Sequence, residues 1–472
     1  MAMFSALFPV PALAKLLGPA IHRLNNKGIP TLKKLKRLVE EELDRLIKPI
    51  EASQEDTKST FPHYIAALAA ASDEKLCLKQ VSIGENSDSY EVHKNKFKKQ
   101  INKPTINWQA LEGKDKQNII NMVLGGPGVC ALRALKRLHK DDERDELSWH
   151  EPQLLNAAIQ ISEGLRTLFN RPEVTAMLTN TSNEKESYWE RVLRYCVGGN
   201  LQAVLDEYVH MVSDSIGGPN NLEKIKRVAE EVREALSLRT SRIGVDTYGL
   251  GQKNDDNNNQ LNIRTHYATR FADSSAAENV EGGNRKQSVI SAFNSPFRPF
   301  VLVSTSVGQE GLDFHHWCHS VLHWNLPSNP VDLEQREGRV HRWKNHAVRK
   351  NVALKNASEL KNKPYFSDIW PRLFELAEKD SLGEDKPGLY PNWLYEPEGG
   401  VKIKRRIINP PLSGDIDQYR NLQSYLSLYR MAFGQPRQED FIRYLEQEFG
   451  KKAQEFAKKW QIQLSPIKND ER

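Results

Sequence analysis

Residues 300–343 read FVLVSTSVGQEGLDFHHWCHSVLHWNLPSNPVDLEQREGRVHRW, and the fold is decided in this run. Residues 300–303 are continuously apolar, as a parallel strand covered on both faces requires. Ser304, Thr305 and Ser306 follow, small hydroxyl residues at the carboxyl edge of the predicted strand, where open α/β sheets bind their ligands. Gly308 and Gly311 then permit tight turning and close backbone approach. A second strand is predicted over 320–324, stopped by Pro327 and Pro330. Asn329 supplies an N-cap and Pro330 a first helical residue, so the spacing predicts a helix over 330–343.

On that helix Gln335, Arg339 and Arg342 fall at i, i+4 and i+7, within about 60° of arc at roughly 100° per residue. They form one polar stripe, with Leu333 and Val340 on the opposite side, toward the sheet. Gly338 lies beside the stripe and has no side chain to obstruct a phosphate or a neighbouring backbone. Two arginines at such a spacing ordinarily mark a solvated face. Here they stand with an apolar strand ending in Ser-Thr, two glycines and Asp313.

The combination resembles the second RecA-like lobe of superfamily 2 helicases and translocases, and within them the Swi/Snf-like bacterial group. STSVGQEGLDF resembles motif V, QREGRVHR resembles motif VI, and NLPSNPVDLEQ is similar to the link between them. The resemblance implies an α/β fold with a RecA-like parallel sheet lobe and an ATP-dependent, Mg²⁺-requiring, cytoplasmic motor. Arg339 and Arg342 then correspond to arginine fingers, whose fork-shaped donors stabilise charge on the transferring γ-phosphoryl group. Gln335 corresponds to the residue opening motif VI at the nucleotide cleft, and Asp313 to a position that reaches the ribose or pairs with motif VI. Gly311 and Gly338 fall at the same nucleotide-binding positions. Thr305, Ser306 and Gly308 align near nucleic-acid phosphates, which position a strand without reading its sequence. Glu310 departs from the Arg or Leu often found at its position.

The remaining composition agrees with a chain of two to four domains. It has 472 residues, 39% apolar and 27% charged, with a formal charge of +6 that suits a polyanion partner without demanding one. Cys77, Cys130, Cys196 and Cys318 are far apart and form no CxxC, which argues for a reducing compartment without a zinc site or disulfide frame. His315 and His319 are four apart, but no carboxylate or second cysteine pair accompanies them, so no metal site is expected. Ala12-Leu13-Ala14 imitates a signal-peptidase site, yet a cationic leader is lacking and Pro9 and Pro11 interrupt the apolar run. No run approaches the ~20 apolar residues that cross a bilayer, and no membrane partner is expected.

Residues 1–238 read as a mainly helical region, possibly an insertion within the helicase lobe, 239–352 as the RecA-like domain, and 353–472 as a helical C-terminal extension. Helices are predicted over 32–47, 154–169, 189–212, 222–238 and 285–293, then 365–376 and 423–433, with a helical hairpin over 441–460. Strands are predicted near 242–248 and 261–267. Gly125-Gly126-Pro127-Gly128 precedes a helix, but no Lys-Ser or Lys-Thr follows, so it reads as a packing turn. Lys402, Lys404, Arg405 and Arg406 form a basic run, either an exposed strand or loop or a phosphate contact.

No GxxxxGK[ST] occurs in the chain, and DDERDE at 141–146 lacks the apolar strand that precedes a Walker B pair. The expectation is therefore the C-terminal portion of an ATP-dependent helicase or translocase, taking its P-loop, and with it ATP and Mg²⁺, from an N-terminal lobe on another chain. Alone it is expected to be inactive. Its expected partners are nucleic acid, chiefly double-stranded DNA, and that P-loop lobe or subunit. The alternatives are a non-catalytic remnant that binds nucleic acid or a partner protein, and a scaffold whose helical regions do something else.

Overall fold

The computed structural model describes residues 2–22, 31–48, 59–70, 111–139, 147–180, 186–238, 241–246, 260–265, 280–304, 312–360, 367–381, 388–431 and 437–450, with isolated positions between 92 and 108 and between 452 and 459. They form two compact units, Met1–Phe300 with Glu359–Pro371, and Val301–Ser358 with Arg372–Arg472.

The first unit is mainly helical. Its helices are α1 (Ala2–Leu7), α2 (Pro11–His22), α3 (Leu32–Ile47), α4 (Phe61–Ala70), α5 (Gly113–Gly125), α6 (Pro127–Leu138), α7 (Pro152–Phe169), α8 (Pro172–Asn180), α9 (Tyr188–Gly198), α10 (Leu201–Ile216), α11 (Leu222–Ser237) and α12 (Val280–Phe293). The α3 helix begins where Thr31 Oγ1 accepts from the Lys34 N–H at 3.3 Å, and it buries Leu38, Val39 and Leu43 while Lys33 and Arg37 are exposed. At the α5–α6 junction a Cβ on Gly128 would come within 2.1 Å of the Leu7 carbonyl oxygen, so the glycine lets two backbones touch. The Gly-Pro-Gly segment is a packing turn. Together Gly113–Leu138 are long and apolar enough to span a bilayer, contrary to the sequence expectation, but 94% of that apolar stretch is buried in protein. Apolar core helices pass the same test of length and composition.

The helix expected over 189–212 is two helices, α9 and α10. Asn200 takes a left-handed conformation at φ 51° and turns the chain between them. The segment Glu359–Pro371 belongs to this unit: Asp368 pairs with His210 at 2.5 Å, and its N–H donates to the Arg137 carbonyl at 2.9 Å. Strands β1 (Ser241–Asp246) and β2 (Gln260–Thr265) pair antiparallel, Ser241 opposite Thr265. They therefore do not join a parallel sheet as expected. Residues 251–259 carry no apolar side chain from which a crossover helix could pack.

The second unit contains β3 (Ser320–His323), α13 (Pro330–Gly338), α14 (His346–Asn356), most of α15 (Trp370–Ser381), β4 (Lys404–Ile407), α16 (Asp415–Met431) and α17 (Gln438–Phe449). Strands β3 and β4 pair in parallel, with Ser320 beside Lys404 and Leu322 beside Arg406. The basic run at 402–406 thus resolves into an exposed strand. One face of the pair covers a core of Leu326, Leu333 and Leu422 with Ile407 and Tyr419, and α17 docks on α16 through Leu428 and Leu445. The α/β character of this unit rests on that small parallel pair.

Two expectations fail here. Residues 301–304 form no strand, and Val301 and Val303 are 78% and 88% exposed. Apolar composition alone makes no ladder, and among the described residues no strand runs beside them. The helix begins at Pro330 as predicted but stops at Gly338, short of Trp343.

Candidate functional site

The site is built where α13 ends. Asn329 Oδ1 accepts from the Val331 N–H at 2.9 Å to start the helix, and Leu333, 2% exposed, anchors it to the core. Gln335 is exposed on the other side. After Gly338 the Val340 and His341 N–H groups both turn back to the Glu337 carbonyl, and the Arg339 carbonyl accepts from Phe314 N–H at 2.9 Å. Asn345 Nδ2 takes the Arg342 carbonyl at 3.0 Å, while its Oδ1 accepts from Val348 N–H and caps α14. Arg339 and Arg342 are therefore in a turn following the helix rather than on it. A bond to remote Phe314 fixes the backbone at Arg339 and one to nearby Asn345 fixes it at Arg342, while Val340, between them, points into the core at 3% exposure.

Of the residues read as a site, the fold brings Asp313 and Arg342 together: Arg342 Nε lies 3.1 Å from Asp313 Oδ1, both side chains being about half exposed. An exposed ion pair of this kind is worth about 0–1 kcal/mol, so a competing anion can displace the carboxylate. Arg339 is half-buried, and its Nε is enclosed without a hydrogen-bond partner. A Cβ placed on Gly338 would meet nothing within 4 Å, so open space lies beside the residue that precedes Arg339. Thr305, Ser306, Gly308 and Gly311 lie outside the described residues.

A residue that sequence reading missed braces the site. Arg349 is fully buried; Nη1 donates to the Lys344 carbonyl at 2.8 Å, Nη2 to the His316 carbonyl, and the guanidinium lies over the Trp317 ring. It thereby ties the turn after Asp313 to the segment after Arg342. The signal was weak: Arg349 follows Ala347 and Val348 on a short helix that also carries solvated Lys350.

Around Arg349 sit histidines without proton-binding capacity at neutral pH. Burial pushes His315 down to about 4, with Arg349 and Arg342 adding to the effect against Asp313. Burial likewise takes His316 and His346 to about 3, assisted by the Arg349 charge. An unfolded imidazole titrates near 6.5, so below that pH the unfolded chain binds protons that the folded unit refuses. Stability is thus fully present above about pH 6.5 and is lost progressively as pH falls through about 4 and on to about 3. Urea midpoints are expected to hold from about pH 7.5 to about pH 6.5 and to decline from there to about pH 5, and a profile flat throughout contradicts the buried cluster. Among the described residues no three His, Cys, Asp or Glu side chains converge to hold a metal.

Glu337 has a structural task. It accepts from His323 Nε2 at 3.1 Å and from Arg405 through both carboxylate oxygens, joining α13 to β3 and β4. Burial alone would raise its pKa, but the bonds from His323 and Arg405 hold the carboxyl below its ordinary value. A cleft of about 340 Å³ opens beside it, lined by His341, Trp393, Tyr395 and Arg405 among others. None of Asp313, Gln335, Arg339 and Arg342 lines this cleft, so it is separate from the candidate site.

Comparison with known families matches residues 274–344 to the helicase conserved C-terminal domain, a range that takes in α12, β3, α13 and the turn bearing Arg339 and Arg342. The chain carries a helicase C-terminal lobe. Over 42 residues the chain is 45% identical to a Bacillus subtilis (strain 168) protein described as an uncharacterized ATP-dependent helicase, YqhH. That alignment covers 9% of this chain and 7% of the relative. No solved structure matches the chain.

Proposed function

We propose that this chain is the C-terminal part of an ATP-dependent nucleic-acid translocase of the Swi/Snf-like group, and that Arg339 and Arg342 act as its arginine fingers. The observation that carries this reading is the turn after Gly338. Arg342 is held by an exchangeable Asp313, Arg339 has an unspent Nε, and Gly338, the residue before Arg339, borders open space. These residues suit the triphosphate of ATP: the guanidinium forks bind phosphoryl oxygens, Gln335 and Gly338 border them, and Asp313 is released to the ribose or stays as the resting partner of Arg342. The P-loop, and Mg²⁺, which would supply charge neutralisation at the phosphates, would belong to an N-terminal lobe, because no GxxxxGK[ST] occurs in this sequence. Gly311, and Thr305, Ser306 and Gly308 on a double-stranded DNA track, keep the roles their motif positions imply. The helical region 1–238 is an insertion or accessory region, 239–352 carries the lobe, and 353–472 is an extension.

A reconstitution tests this. The chain alone is expected to hydrolyse no ATP, and addition of a P-loop lobe from the same motor is expected to restore DNA-stimulated hydrolysis. If every P-loop lobe that binds the chain leaves it inactive, the assignment fails. The missing P-loop sequence favours one competing reading, a non-catalytic remnant that binds nucleic acid or a partner protein; it predicts salt-sensitive DNA binding indifferent to ATP.

A further inference from the structure

The side of the β3–β4 pair turned away from the core has a composition that neither ATP chemistry nor packing explains. Ser320, Leu322, Lys404 and Arg406 are all exposed, and Arg406 Nε reaches Ser320 Oγ at 3.3 Å, which places the two strands' even-numbered residues on one face. Trp324 continues the alternation just past β3 and is 81% exposed. Between the two cations, Arg405 points to the other face and is spent on Glu337 and Tyr419. Lys404 and Arg406, by contrast, have no ion pair among the described residues.

An apolar partner laid over this face would strip water from two unpaired cations, a penalty of several kcal/mol for each ion. A polyanion with flat apolar groups meets both demands at once, phosphates on the cations and bases on the indole and Leu322. Duplex DNA hides its base faces, whereas a single strand offers them. We infer that the outward face of β3 and β4 binds single-stranded nucleic acid, with Trp324 as the stacking platform and Lys404 and Arg406 as phosphate contacts. This site does not depend on the nucleotide reading above, because it shares no residue with Asp313, Arg339 or Arg342.

The test is the full chain titrated into labelled oligothymidylate and oligouridylate, followed by fluorescence anisotropy across a salt series. Trp324→Ala is expected to weaken binding about tenfold, and Trp324→Phe to recover most of it, since a stacked base is worth ~1–3 kcal/mol. Lys404→Gln and Arg406→Gln are each expected to lower the slope of log K against log salt by about 0.7. The two oligonucleotides distinguish DNA from RNA as the preferred strand. Both charge variants sit on the exposed face and keep the test alive should Trp324→Ala fail to fold. Unchanged affinity in Trp324→Ala, an unchanged salt slope in the charge variants, or no binding by the parent chain overturns the proposal. So does equal loss of binding in Arg339→Ala, which would place the strand at the nucleotide turn instead.

Discussion

In a motor reconstituted with its P-loop lobe, Arg339→Ala and Arg342→Ala are each expected to lower the ATP turnover number by about 10³-fold or more, with a much smaller change in nucleotide affinity. The size follows from what an arginine finger does: it meets charge that appears on the transferring phosphoryl group, so its loss is felt in the transition state more than in binding. Arg339→Lys should rescue little, because an ammonium keeps the charge but not the planar fork. Folding is not the confounder, since Arg339 and Arg342 are only partly buried and, among the described residues, the one ion pair between them and an acid is the exposed Arg342–Asp313 pair. Asp313→Asn provides the contrast. It frees Arg342 from a partner worth about 0–1 kcal/mol, so turnover should move by less than about tenfold. Steady-state hydrolysis at saturating DNA reads all four variants, and parental turnover in either alanine variant removes the arginines from the chemistry.

How much of this was legible beforehand depended on whether a residue's partner is near it in sequence. The start of α13 was readable because Asn329 caps Val331 two residues away. Its end was not. Gly338 and the arginines after it fit a continuing helix locally, and the carbonyls of Arg339 and Arg342 are claimed by Phe314 and Asn345, of which Phe314 is far back in the chain. The same blindness explains residues 300–303, apolar enough for a central strand but without a neighbour to complete a ladder. It also explains β4: a run reading KRRI looks like surface, and only the pairing with β3 shows which of its cations face the core side. Patterns of helix formers were more faithful, since α3, α7 and α11 follow periodicities contained within each segment. For Asp313 the family resemblance left two alternatives open, reaching the ribose or pairing with motif VI, and no spacing rule pointed to Arg342.

Arg349→Ala should cost the second unit about 3–5 kcal/mol and should also slow ATP turnover in the reconstituted motor, although Arg349 is not placed at the nucleotide. Removing the guanidinium takes a donor from the part-buried Lys344 and His316 carbonyls, the latter keeping His346 as a partner, at about 1–3 kcal/mol each, and adds a cavity beneath Trp317. An opposing effect works against this, since the fully buried cation itself paid for desolvation, and a well-packed neutral replacement can recover that cost. Arg349→Met separates the two contributions by filling much of the volume without charge or donors. If the unsatisfied carbonyls dominate, methionine remains destabilising by about 2 kcal/mol or more, and urea midpoints fall with an unchanged slope. A methionine variant as stable as the parent would show that burying the charge costs as much as its hydrogen bonds return. The functional arm follows from geometry: Lys344 is two residues beyond Arg342, and His316 three beyond Asp313, so loosening this brace lets the Asp313–Arg342 turn wander. Misplacement of about 1 Å costs on the order of 10²-fold in a positioned reaction. Turnover should therefore fall in the folded fraction of Arg349→Met, measured under conditions where the variant remains native, while an undiminished rate would confine Arg349 to stability alone.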